Sequence, residues 1–139
     1  MTAVSVLMPC FNSAETIEEA LISLKNQSLV DFEVLMVDDG STDATPEVLK
    51  KWASQDARFR VHTRPHSGIV PTLNAGLRLC RAPLVARMDA DDRSHPGRLT
   101  QQHAYLLRHP ETSLVSSRVA GFPEKQVIAH CKNNPACIP

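Results

Sequence analysis

Two short acidic clusters in this sequence each follow an apolar run directly. Phe32-Glu33-Val34-Leu35-Met36-Val37 ends in Asp38-Asp39-Gly40-Ser41, and Leu84-Val85-Ala86-Arg87-Met88 ends in Asp89-Ala90-Asp91-Asp92. Five of the chain's 15 acidic residues therefore sit at two sites. Carboxylates gathered in this way repel one another at neutral pH unless something compensates them. A hard divalent cation with oxygen ligands, Mg²⁺ or Mn²⁺, is the economical candidate. Such an ion keeps one or two carboxylates and fills its other positions with water and substrate phosphates, which points to a nucleotide diphosphate. Taken alone, Asp-Gly and Asp-Asp often only start turns or cap helices. Three carboxylates directly after an apolar strand are costly for a mere turn, and two such clusters on one sheet edge favour function.

Whether they share an edge depends on the elements that carry them. Val4-Ser5-Val6-Leu7-Met8, ended by Pro9, suits a strand buried on both faces. Asn12 with Glu15 resembles a capping pair, and Ile17, Ala20, Leu21 and Leu24 predict an amphipathic helix from about Ser13 to Asn26. Phe32 to Val37 is a second strand. Thr45 as N-cap and Pro46 at the first helical position start a second helix, with Val48, Leu49, Trp52 and Ala53 on one face, ending near Gln55. Phe59-Arg60-Val61-His62 is a weaker third strand. Val70, Leu73, Leu77 and Cys80 lie at helical spacing after Ser67-Gly68, with Pro71 in the first turn. Leu84 to Met88 is the fourth strand. Pro96 opens a helix with Leu99, His103, Leu106 and Leu107 on one side, and Thr112 to Ser117 reads as a fifth strand.

This alternation predicts an α/β layer fold, a mainly parallel sheet flanked by helices with right-handed crossovers. In the strand order 3-2-1-4, strands two and four flank strand one, and both clusters face one crevice beyond the carboxyl ends, where open parallel sheets bind ligands.

The chain has 139 residues, 42% of them hydrophobic, which fits one compact domain and not two. With 15 Lys and Arg against 15 Asp and Glu, and no basic run, a nucleic-acid or anionic-membrane partner is disfavoured. No apolar stretch reaches the roughly 18 residues of a membrane span. The N-terminus enters a strand without a basic n-region or cleavage site, so a cytoplasmic location is expected. Cys10, Cys80, Cys131 and Cys137 are too scattered for a disulfide scaffold and are expected as free thiols. Cys10 reads as a small loop filler, and His130 with Cys131 and Cys137 matches no usual zinc spacing. Arg87, Arg93, Arg98, His95 and His103 surround the second acidic cluster, either balancing its charge or gripping a diphosphate.

Four segments together resemble a family. Val4 to Asn12, Phe32 to Asp43, Leu73-Asn74-Ala75-Gly76-Leu77 and Ala86 to Asp92 look like the nucleotide-sugar-binding half of family 2 inverting glycosyltransferases. The resemblance covers about residues 4 to 122, and four motifs in the right order are far more specific than one D-x-D. It implies a Rossmann-like GT-A nucleotide-diphospho-sugar-binding fold, apparently truncated, with residues 1–122 as the donor-binding domain and 123–139 as a tail. It further implies that Pro9 and Asn12 border the nucleotide pocket, that Asp39 accepts a hydrogen bond from the base, commonly uracil, and that Asp38 supports that loop. Asp89, Asp91 and Asp92 would supply the metal and ribose contacts, the metal bridging the two phosphates of the donor.

An inverting transfer needs a general base for the acceptor hydroxyl, and in this family a carboxylate from the second half of the domain supplies it. Glu111 and Glu124 are the only carboxylates after Asp92, and neither lies in a segment resembling that motif. The chain therefore looks like a donor-binding half whose acceptor, a glycan, lipid or protein, is not readable. A fragment, a partner chain that brings the base, or a non-catalytic nucleotide-sugar-binding module would each look like this. Self-association is expected if a missing half leaves apolar surface and a sheet edge uncovered. A receiver-type signalling domain is the rival from another class, but its acidic pair should follow strand one, which here ends in Pro9-Cys10. A dehalogenase-like phosphatase would carry its D-x-D early, and a dehydrogenase would carry G-x-G-x-x-G after strand one.

Overall fold

The computed structural model describes residues 2–121. The tail 123–139, with Glu124, His130, Cys131 and Cys137, lies outside the described residues. Strands and helices alternate as β1 (Val4–Cys10), α1 (Ile17–Lys25), β2 (Phe32–Asp38), α2 (Thr45–Gln55), β3 (Phe59–Thr63), α3 (Ile69–Leu79), β4 (Leu84–Arg87) and α4 (Arg98–Arg108). The four strands form one parallel sheet in the order β3-β2-β1-β4. No helix among the described residues is long and apolar enough to cross a membrane.

Strand alternation sorts the core into two layers. Val6, Met8 and Cys10 of β1 with Val34 and Met36 of β2 face one side, where Ile17, Ala20, Leu21 and Leu24 of α1, Leu49 and Trp52 of α2 and Leu99 of α4 cover them. Leu7, Leu35 and Val37 face the other side under α3. Buried Ser5 and Glu33 on this second side share a 2.7 Å hydrogen bond, and Glu33 also takes the Arg60 guanidinium at 2.8 Å and the Arg81 amide at 2.8 Å. That network fastens the chain after α3 to the sheet.

Several local expectations are corrected. Pro9 does not end β1, because the strand continues to Cys10. The Asp39 amide donates to Cys10 O, and the Met88 amide donates to Leu7 O. Met8 and Cys10 thus bond toward β2, while Leu7 and Pro9 turn toward β4. The missing proline N–H falls where the ladder with β4 has already ended at Leu7–Arg87. Asn12 does not cap α1, whose N-cap is Thr16, because its backbone sits at φ 48° and its side chain is used elsewhere. Thr45 is the first residue of α2 rather than its cap, and the Asp43 carboxylate accepts the Thr45 amide at 2.9 Å instead.

Helix α3 turns its small residues inward. Thr72 and Gly76 are buried, whereas Val70 and Leu77 are exposed. A Cβ on Gly76 would lie 2.2 Å from Leu7 Cδ1, so the glycine is what allows the helix to lie this close to the sheet. Leu107 of α4 is likewise exposed. Thr112 to Ser117 forms no strand. The segment lines the groove beside β4 but makes no ladder with it, and without paired backbone an alternating pattern stays irregular.

Candidate functional site at the carboxyl edge of the sheet

Because β2 and β4 flank β1 in parallel, both acidic segments emerge at one edge, Asp38 opposite Cys10 and Asp89 two residues beyond the rung at Arg87. The loops after β1 and β2 are laced together there. Asn12 Oδ1 accepts the Thr42 amide at 2.8 Å, and the Asn12 amide donates to Ser41 Oγ at 2.9 Å. Ser13 donates its amide to Thr45 Oγ1 at 2.8 Å, and Ala14 to Asp43 at 3.1 Å. Asn12 tolerates the left-handed backbone this path needs better than most residues, and it borders the crevice as a brace.

Asp38 and Asp39 have different surroundings. Asp38 is buried; its Oδ1 accepts the Ser41 amide at 3.1 Å, and its buried Oδ2 has no hydrogen-bond partner among the described residues. Burial, helped by the Asp38 charge, pushes the neighbouring Cys10 thiol far up. It stays a protonated filler and no nucleophile.

Asp39 is a clamp on the β3–α3 loop. Its carboxylate accepts the Ser67 amide at 3.1 Å, the Ser67 hydroxyl at 3.2 Å and the Gly68 amide at 2.8 Å. His66 Nδ1 lies 2.9 Å from the same group, and the Arg64 guanidinium stands 3.9 Å away. Burial opposes the charge, but the nearby Thr72 side chain and hydrogen bonds from Ser67 and Gly68 outweigh it and hold the carboxyl down at about 2. Gly40, at φ +75°, lets the loop close in, since a Cβ there would stand 2.8 Å from the His66 amide nitrogen.

At the other cluster, Asp89 is paired with Arg87 at 3.0 Å. Asp91 and Asp92 are exposed, and the turn is closed by the Asp92 amide on Asp89 O at 3.2 Å. No three His, Cys, Asp or Glu side chains form a cation cage among the described residues. The donor set still fits an ion bridged by phosphates, because such an ion asks the protein for one or two carboxylates, which Asp91 and Asp92 offer. Asp89 fits less well while the Arg87 guanidinium holds it.

The surrounding basic side chains serve the protein first. Arg93 binds Glu19, Arg98 donates to Arg87 O at 3.0 Å, and His95 Nδ1 accepts the Gly97 amide at 3.1 Å. Arg98 and His103 line a groove of about 760 Å³ that runs between β4 and α4 past Asp92.

Two residues at this edge escaped the sequence reading. Phe11 is 45% exposed, and its ring stacks on His66 with centroids 4.2 Å apart. The signal was present in Phe11, a large aromatic directly after a buried strand, and in His66-Ser67-Gly68 before α3.

Comparison with known proteins bears on the family and the fold. The family model for glycosyl transferase family 2 matches residues 5–137. The amylovoran biosynthesis glycosyltransferase AmsE of Erwinia amylovora is 36% identical over 123 residues, 86% of this chain and 46% of that protein. S. aureus TarS 1–349 in complex with UDP-GlcNAc superposes with a TM-score of 0.74 at 28% identity, covering 86% of this chain and 37% of its own. The mannosyltransferase PcManGT of Pyrobaculum calidifontis, in complex with GDP-Man and Mn²⁺, gives 0.62 at 32% identity, covering 73% and 31%. This chain thus spans less than half the length of each. Its four-stranded parallel sheet is the GT-A arrangement of these structures, and the chain belongs to glycosyl transferase family 2.

Proposed function

We propose that this chain binds a nucleoside-diphosphate sugar, a UDP-sugar in the first instance, across the carboxyl edge of β1, β2 and β4. The whole protein then transfers the sugar to an acceptor hydroxyl with inversion. The observation that carries this is the strand order, which sets Asp38-Asp39 and Asp89 to Asp92 on either side of Pro9. The nucleoside lies at the Asp39 end, between the loop braced by Asn12 and the loop held by Asp39. The diphosphate lies at the Asp91 end. The complexes of TarS with UDP-GlcNAc and of PcManGT with GDP-Man and Mn²⁺ support a nucleoside-diphosphate sugar as the class of ligand.

Asp91 and Asp92 would hold a Mn²⁺ or Mg²⁺ ion, which when bound neutralises the charge that builds on the departing diphosphate. Asp39 keeps the loop in place, and the Asn12 clasp keeps the mouth open to the ligand. No described carboxylate takes the part of the base. Glu111 pairs with His109 just after α4, whose last turn packs beside Ala3 and Leu84 at the opposite edge of the sheet. For this chain the reading is therefore donor binding.

Calorimetry with UDP-GlcNAc and UDP, with and without Mn²⁺, tests the reading. Binding that strengthens at least severalfold with Mn²⁺ is expected. Absence of binding to any nucleoside diphosphate overturns it.

A further inference from the structure

Asp91 and Asp92 are exposed, so the backbone that carries them, rather than packing around their side chains, decides where their carboxylates stand. Upstream, that backbone is fixed by the β1–β4 ladder and by the Met88 amide on Leu7 O at 3.2 Å. Downstream, it is fixed from the end of α1, 67 to 72 residues earlier in the chain. Gln27 is buried in the turn after that helix. Its Nε2 donates to His95 O at 2.8 Å and to Ser94 Oγ at 3.2 Å, and its Oε1 accepts the Leu99 amide at 3.1 Å. Ser23 Oγ takes the Ser94 amide at 2.9 Å, and the Ser28 amide donates to Pro96 O at 2.8 Å.

Leu99 lies in the first turn of α4, where amides have no partner within the helix. Gly97, the N-cap, has no side chain to accept one, and Gln27 supplies the acceptor in its place. One carboxamide thus starts α4 and ties down Ser94 and His95, just beyond Asp92. The task needs a donor and an acceptor on the same group, which a carboxylate or a thioether of equal length does not offer. A buried polar hub with every partner in place holds one arrangement of the segments it joins. Resting on the reading above, in which Asp91 and Asp92 hold an ion on the diphosphate, we propose that Gln27, with Ser23, is a positioning residue for the metal end of the site. It touches neither ion nor donor. It keeps two exposed carboxylates where a bridging ion meets them, so the span is ordered in folding and not at the moment of binding. The nucleoside end, held through Asn12 and Asp39, is independent of it.

Titration of the parent, Gln27→Met and Ser23→Ala with UDP, with and without Mn²⁺, tests this, after circular dichroism has shown each variant to be folded. The quantity read is the ratio of the two affinities, because partial unfolding lowers the number of binding sites and not that ratio. In Gln27→Met the ratio should fall about threefold or more, on the order of the cost of ordering one or two side chains on binding. The affinity for UDP alone should stay near that of the parent. Ser23→Ala keeps a good helix former in α1 and removes only the hold on the Ser94 amide, so the ratio should fall in the same direction by less. It carries the test if Gln27→Met does not fold. Without any ligand, ¹⁵N relaxation should give lower order parameters at the Asp91 and Asp92 amides of the variants than of the parent. An undiminished ratio in folded Gln27→Met, or in Ser23→Ala where it stands in, overturns the proposal. So does an equal loss of affinity with and without Mn²⁺, which would mark a general structural role, or unchanged order at Asp91 and Asp92. A parent that binds UDP equally with and without Mn²⁺ removes the metal reading, and one that does not bind UDP removes the nucleotide reading; the proposal falls with either, and the parent alone tells these failures from its own.

Discussion

The carboxylate of Asp39 lies 2.8 Å from the amide nitrogen of Gly68, so the residue that follows β2 holds the residue that precedes α3. Two elements far apart in the chain are joined at the edge where a ligand would enter, and the join has consequences for stability and for binding.

The first is a pH dependence. Asp39 titrates at about 2 in the folded chain against an ordinary value of 3.8. A lowered carboxyl means that the unfolded chain takes up the proton first. The contribution of Asp39 is therefore complete above about pH 4 and is lost as pH falls through about 2. Urea unfolding should find Asp39→Asn less stable than the parent by about 2 kcal/mol near neutrality, the cost of replacing a charged acceptor of several donors by a neutral amide. The gap should close as the pH is lowered toward 2. A gap that is constant with pH would show that the carboxylate's charge is not what holds the loop.

Gly76 tests the fit between α3 and the sheet. An added methyl would meet Leu7 Cδ1 at 2.2 Å and Val37 Cγ2 at 3.1 Å. Alanine is the better helix former by about 1 kcal/mol, but overpacking of this kind costs about 1–3 kcal/mol. Gly76→Ala should therefore lower the urea midpoint, and a raised midpoint would mean that the helix can retreat at no cost.

At Asn12, alanine would lose the bond to the Thr42 amide and meet a left-handed backbone at φ 48°. A loss of about 1–2 kcal/mol in unfolding free energy is expected. Asn12→Gly should lose less, because glycine accepts the backbone though not the bond. Equal losses for the two variants would assign the whole effect to the side chain.

The two acidic segments should separate in ligand binding. Asp91→Ala is expected to weaken donor affinity about tenfold or more in the presence of Mn²⁺ and to leave the metal-free affinity near that of the parent. Asp39→Ala should weaken binding with or without the ion, because it releases the Ser67-Gly68 loop. Calorimetry at matched Mn²⁺ checks both, and parent-level affinity in Asp91→Ala removes that residue from the diphosphate end.

Much of this was legible in the sequence. The spacing of apolar runs located β1 to β4, whereas the strand order 3-2-1-4 entered the sequence reading only as a condition, which the structure meets. Local patterns misled where tertiary contacts decide. Asn12 and Thr45 have capping residue types, but their polar atoms are taken by Thr42 and Ser13 from the neighbouring loop. In α3, counting apolar residues picks Val70 and Leu77, whereas the sheet accepts the face with the smallest side chains, Thr72 and Gly76. His66 could not be placed beside Asp39 from the sequence, because their meeting depends on how closely Gly40 lets two loops approach.

The proline in β1 has one more effect. A rung whose nitrogen has no hydrogen to give keeps only its carbonyl for the neighbour, so the ladder with β4 gains less by running past Leu7–Arg87. The covalent structure of β1 thus favours its parting from the segment that leads to Asp91.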